Sequence, residues 1–148
     1  MKLYADDRWV EFGGRKYPIA PGNRDSENVP LPSGRPWRTE RVRLMFENGW
    51  VLSIVWGTGT YSDNYDPYWG DPRPSIEEPE TVELAAWRDV ARDTDPGAGM
   101  IDWGGDTVAG RVPVLRLQAI IDLISEFPSN SDKPPASWDS RVESLVTA

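Results

Sequence analysis

The stretch Arg41-Val42-Arg43-Leu44-Met45-Phe46-Glu47-Asn48-Gly49-Trp50-Val51-Leu52-Ser53-Ile54-Val55-Trp56 constrains the fold of this chain more than any other. Two runs of alternating character meet at Asn48-Gly49, which reads as a β-hairpin. Two registers compete. A two-residue Asn48-Gly49 turn places Val42, Leu44 and Phe46 with Val51, Ser53 and Val55, and strands Trp50, Leu52, Ile54 and Trp56 opposite Arg41 and Arg43. A three-residue loop, Glu47-Asn48-Gly49, built as a type I turn with Gly49 left-handed in a G1 bulge, instead sets Val42, Leu44 and Phe46 beside Trp50, Leu52, Ile54 and Trp56. A slip of one residue exchanges the faces of a strand, so the register that makes one fully apolar face is expected. The other face then carries Arg41, Arg43, Met45, Val51, Ser53 and Val55.

The apolar face needs a cover. Pro113 suits the first turn of a helix, and Val114, Leu117, Ile120, Ile121, Ile124 and Phe127 follow at helical spacing, with Arg116, Gln118, Asp122 and Glu126 facing away. Burying such a stripe is worth on the order of 10 kcal/mol before entropy is subtracted. Thr81 to Arg88 alternates as a third main strand beside the hairpin. Arg8 to Phe12, Gly13-Gly14 and Arg15 to Ile19 read as a short edge hairpin, since Pro18 cannot donate to a ladder. Met100 to Trp103 and Thr107 to Val112 read as another hairpin around Gly104-Gly105-Asp106.

Residues 18–37 and 57–80 read as long loops, and loops of such length are uncommon in a compact domain. Residues 128–148 read as a linker and a short helix capped by Ser137, its stripe of Trp138, Val142, Leu145 and Val146 docking weakly. Strands and helices do not alternate in the βαβ manner. The expected class is therefore α+β: a single domain over 1–148, an antiparallel sheet built on the central hairpin, with a C-terminal helix packed on one face.

Composition narrows the chemistry. The chain has 148 residues, no cysteine and no histidine. That excludes disulfides, thiolate nucleophiles, histidine general bases and nearly every transition-metal site. A net charge of −8 provides no global attraction for nucleic acid or an anionic membrane. No run approaches the roughly 20 apolar residues of a membrane span, and the first residues lack a signal-peptide core. A soluble, intracellular protein is expected. Arginine outnumbers lysine 13 to 3, as translation of a GC-rich genome tends to give.

Two segments are candidate contact sites. Tyr61, Asp63, Tyr65, Asp66, Tyr68 and Trp69 belong to an aromatic, acidic loop leaving Trp56. Aromatic faces flanked by carboxylates suit a protein or a sugar, although such rings also tie loops to a core. Asp63, Asn64, Asp66 and Asp71 do not have calcium-loop spacing, and no metal or cofactor is expected. Arg35, Arg38, Arg41 and Arg43 form the one local basic cluster. Arg41 and Arg43 would project together from the mixed hairpin face toward a phosphate or a partner's carboxylates, or would pair with the acidic stretch Glu77 to Glu83. Neither Gly57-Thr58-Gly59 nor Gly104-Gly105 is a nucleotide fingerprint. A carboxylate-only hydrolase is the remaining enzymatic reading.

The run Arg-Val-x-Leu-x-Phe-Glu-Asn-Gly-Trp, with Ser53-Ile54-Val55-Trp56-Gly57-Thr58-Gly59-Thr60-Tyr61-Ser62-Asp63-Asn64 and Thr81-Val82-Glu83-Leu84-Ala85-Ala86-Trp87, resembles small accessory proteins of uncharacterised function encoded by bacteriophages of actinobacteria. The likeness covers roughly residues 40 to 127 and continues into the helix after Val112-Pro113. It implies a place, the cytoplasm of the infected host, and a class of job: modulating host or phage machinery, counter-defence included. It brings no catalytic residues. The expected function is a non-enzymatic protein binding a host or phage protein, with a homodimer as a further arrangement for the mixed face. The alternative is a binder of a nucleotide signal or glycan that uses Trp and Tyr stacking with arginine on any phosphate.

Overall fold

The central hairpin closes through the three-residue loop. In the computed structural model, which describes residues 2–3, 9–12, 14–19, 24–30, 36–57, 60, 79–88, 99–129 and 133–146, the Phe46 N–H donates to the Trp50 carbonyl at 2.9 Å. The Gly49 N–H donates to the Phe46 carbonyl at 3.0 Å. Gly49 has φ 87°, a left-handed conformation that glycine takes without steric cost.

In chain order the strands are β1 (Lys2–Leu3), β2 (Trp9–Phe12), β3 (Arg15–Pro18), β4 (Arg24–Pro30), β5 (Pro36–Met45), β6 (Trp50–Gly57), β7 (Thr81–Arg88) and β8 (Ala109–Pro113). A 3-10 turn at Val114–Arg116 leads into helix α1 (Leu117–Ser125), and helix α2 (Trp138–Val146) follows. Strands β4 to β8 form one antiparallel sheet in sequential order, and β1 to β3 form a second. The fold is α+β, with its sheet built on the hairpin as expected.

The register places Val42 opposite Ile54 and Leu44 opposite Leu52, and carries the row on to Leu84 and Ala86 of β7. On this first face Trp50, Leu52, Ile54 and Trp56 are fully buried. Leu117, Ile120 and Ile124 of α1 and Phe127 beyond it join the same core. Trp50 meets Phe127 edge to face at 5.2 Å between ring centroids, Phe127 meets Trp138 at 5.6 Å, and Trp138 meets Trp103 at 5.3 Å. Such geometry sets the positive edge of one ring against the negative face of the next.

Four expectations change. The long loop over residues 18–37 contains β4, which pairs with β5 from Arg24 opposite Val42 to Pro30 opposite Pro36. Its sequence, Arg-Asp-Ser-Glu-Asn-Val-Pro, lacks apolar alternation because it is an edge strand, where charge and proline discourage further pairing. The first face is not wholly apolar either. With β5 starting at Pro36, Glu40 falls opposite Trp56 and is only 1% exposed.

Met100 to Trp103 does not pair with Thr107 to Val112. Met100 bridges Trp87, Ile101 N–H donates to the Ala86 carbonyl, and Ala109 pairs with Leu84. Asp102 to Val108 is thus an excursion from one edge of β7. The C-terminal helix docks firmly rather than weakly, because Trp138 is 2% exposed and its indole N–H donates to the Asp102 carbonyl at 2.7 Å. Most of the expected loop over 57–80 lies outside the described residues. Among those residues, no helix is long and apolar enough to cross a membrane.

Candidate functional site

Strand alternation puts odd-numbered residues of β5, β6 and β7 on the sheet's second face. Three rows cross it: Arg41, Val55 and Glu83; Arg43, Ser53 and Ala85; Met45, Val51 and Trp87. Arg41 and Arg43 do share a face, as the hairpin register requires. They sit two residues apart on β5, with Val55 and Ser53 as their cross-strand neighbours.

The face is not uniformly open. Val51, Ser53 and Trp87 are buried, Val55 and both arginines are half-buried, and Met45 is 54% exposed. Val51 is 2% exposed, so Met45, Val51 and Val55 do not form one continuous exposed patch of the kind expected for a dimer or partner surface. What this face presents is a charged and partly apolar surface with Met45 at one end.

Two buried polar atoms on this face lack a hydrogen-bond partner: Arg43 Nε and Thr81 Oγ1. Buried donors are nearly always satisfied. An unmade hydrogen bond at such a group costs about 1–3 kcal/mol, and more when the group is charged. Nothing in the sequence signals this, because burial of one nitrogen within a long side chain depends on the assembled sheet. Arg41 and Glu83, flanking Val55, each have polar or electrostatic interactions of their own.

Tyr61, Asp63, Tyr65, Asp66, Tyr68 and Trp69 lie outside the described residues, as does Arg35. The root of their loop is described at Thr60, whose N–H and Oγ1 both donate to the Gly57 carbonyl, at 3.2 and 2.7 Å. Thr60 is 4% exposed, so the chain folds back onto the end of β6 as it leaves the sheet. In the β4–β5 ladder Arg38 stands opposite Asn28 and Arg41 opposite Asp25, and Arg41 and Arg43 also pair with β6.

A second concave region lies between the helices. Ala119, Asp122, Leu123 and Glu126 of the α1 segment and Arg141 and Leu145 of α2 line a groove of about 180 Å³. Asp122 accepts a hydrogen bond from Gln118 Nε2 at 2.6 Å. The two carboxyls stand one helical turn apart on an open surface, where water solvates both. Among the described residues no group of three or more carboxylates is arranged to hold a metal ion.

No protein-family model, no curated protein and no solved structure matches this chain.

Proposed function

We propose that this chain is a non-enzymatic binding protein that engages another protein through the second face of its main sheet. Arg43 receives an acidic group of the partner, and Met45 supplies apolar contact. The observation that carries this reading is the sharing of one sheet face by two half-buried arginines, Arg41 and Arg43, beside the exposed Met45. A half-buried guanidinium suits a partner that brings a carboxylate, because charge-assisted pairs with arginine are strong and directional. Exposed Met45 adds an adaptable side chain of the kind enriched at protein contacts. The resemblance to actinobacterial phage accessory proteins supports a host or phage protein as the partner, the host cytoplasm as the setting, and counter-defence as one such job.

The test compares the wild-type chain with Arg43→Met and Met45→Asp as bait in lysate of an actinobacterial host. Arg43→Met removes a side chain whose buried Nε lacks an acceptor in favour of an apolar one of similar length, so folding stability should hold or rise. A specific protein retained by the wild type and lost from both variants, with thermal midpoints no lower than the wild type's, is the expected result. Equal capture by all three baits, or no capture by the wild type, would refute the proposal.

A further inference from the structure

We propose that Asn48-Gly49 is a spontaneous deamidation site that the native fold holds closed, and that its conversion in an opened chain bars the hairpin from recapturing helix α1. Asn48 is the one asparagine in the chain followed by glycine. Glycine has no side chain to hinder its own nitrogen, so this dipeptide is the position most open to the reaction. The Gly49 backbone nitrogen attacks Asn48 Cγ. The new C–N bond forms as the Cγ–Nδ2 bond breaks, and Nδ2 departs as ammonia while the Gly49 N–H proton passes through solvent to the leaving group. Water then opens the succinimide. Attack at Cγ gives aspartate, and attack at the main-chain carbonyl gives isoaspartate, with the chain rerouted through Cβ. Water is the sole co-reactant.

The fold opposes ring closure at each of these atoms. The Gly49 N–H is already donated to the Phe46 carbonyl at 3.0 Å. Asn48 is pinned at both ends of its amide: Oδ1 accepts the Trp50 N–H at 3.1 Å, and Nδ2 donates to the carbonyls of Ile124 at 2.8 Å and Phe127 at 3.1 Å. Swinging Cγ onto the Gly49 nitrogen breaks these side-chain bonds together. The Arg88 guanidinium also covers the turn, since a Cβ placed on Gly49 would lie 3.1 Å from Arg88 Nε.

Separation of the hairpin from α1 removes the two Nδ2 bonds, and opening of the turn itself removes the Gly49 and Trp50 bonds. The product then cannot restore them. A carboxylate at position 48 has no N–H for the Ile124 and Phe127 carbonyls, and it adds negative charge at the end of the helix that is already negative. Isoaspartate also lengthens the turn's backbone, which disturbs a register that depends on loop length. Accumulated modification therefore records time spent open.

The 148-residue chain is aged in mildly alkaline buffer, native and in urea. The peptide spanning the turn is followed by mass spectrometry for a gain of about 1 Da, and isoaspartate is followed by enzymatic methyl transfer. Conversion at Asn48 at least about tenfold faster in urea than in the native protein is expected, since the native rate is limited by local opening. Rates equal within a factor of two, or no conversion in urea, would overturn the proposal. Aged chains are then returned to native buffer and separated by size. Modified chains should be depleted from the native fraction at least about fivefold relative to unmodified ones; equal partition would overturn the second half of the proposal. An Asn48→Asp variant supplies the same readout from the product side. Its thermal midpoint should lie below the wild type's at neutral pH and approach it as the carboxyl protonates and regains a donor. A melting curve matching the wild type's at neutral pH contradicts the mechanism.

Discussion

Asn48 Nδ2 donates to the carbonyl oxygen of Ile124 at 2.8 Å, so a hairpin turn caps a helix 76 residues away in the chain. Helix α1 ends in 3-10-type bonds, the Glu126 N–H to the Leu123 carbonyl at 3.2 Å and the Phe127 N–H to the Ile124 carbonyl at 3.1 Å. No glycine follows it, and its last turn carries no basic residue. Asn48 Nδ2 adds a second donor to the Ile124 carbonyl and also donates to the carbonyl of Phe127, just beyond the helix, at 3.1 Å. The same side chain accepts the Trp50 N–H at 3.1 Å. Asn48→Ala removes all three part-buried bonds. A loss of about 2–3 kcal/mol is expected, at about 1 kcal/mol per bond, measured by urea denaturation with an unchanged slope.

Arg111 is the one described residue other than glycine with positive φ, at 51°. It stands where β8 and β7 slip register between Val82 and Leu84, in a bulge. A left-handed conformation costs a residue with a Cβ roughly 1–2 kcal/mol. Its side chain is exposed, so little packing is lost on removing it. Arg111→Gly should raise stability by about 1 kcal/mol net of the added unfolded-state entropy, seen as a higher urea midpoint. A lower midpoint would show that the arginine side chain contributes more than its backbone strain removes.

How much of this arrangement was legible depended on the range of the signal. The hairpin register could be read because Asn-Gly and apolar alternation are local, and the same period placed Arg41 and Arg43 on one face. The stripe of Leu117, Ile120, Ile124 and Phe127 was legible for the same reason. Strand β4 was not, since an edge strand needs no apolar period and its Arg24, Asp25 and Glu27 discourage rather than advertise pairing. Nor was the excursion from Asp102 to Val108, because Gly104-Gly105 marks a turn without saying which strands it joins. At the candidate site the faces followed from parity. The burial of Val51 and of Arg43 Nε did not, because both depend on tertiary packing that no short window contains.

The small sheet meets α1 through Tyr17, whose hydroxyl donates to Gln118 Oε1 at 2.7 Å, while Gln118 Nε2 donates to Asp122. Burial raises the Tyr17 pKa above its ordinary value, Arg15 nearby lowers it, and Asp122 raises it. The folded value lies above the unfolded one, so the phenol's contribution is fully present below the unfolded pKa of about 10 and is lost as pH rises through the folded value. Tyr17→Phe should cost about 1 kcal/mol at neutral pH. The gap to wild type should stay constant up to about pH 10 and narrow above it, followed by denaturation across an alkaline series.

Asp102 organises the excursion that receives the C-terminal helix. Its Oδ1 accepts the N–H groups of Gly104 at 2.8 Å and Gly105 at 2.5 Å, while its main-chain carbonyl accepts the Trp138 indole N–H. The Gly105 and then the Gly104 hydrogen bond hold its carboxyl below the ordinary aspartate range, outweighing a small opposing effect of desolvation. The folded pKa is depressed, so the stabilisation is present above the unfolded value of about 3.9 and is lost as pH falls through the folded one. Asp102→Asn keeps an oxygen acceptor but removes the charge. The variant should be less stable than wild type at neutral pH, and the difference should close on acidification below about pH 4. The Trp138 indole N–H resonance reports the event directly. In the wild type it should shift as Asp102 protonates, because the loop that positions its acceptor loosens; in Asp102→Asn it should stay flat over the same range. A wild-type resonance that also stays flat would separate the turn from the seat of the helix.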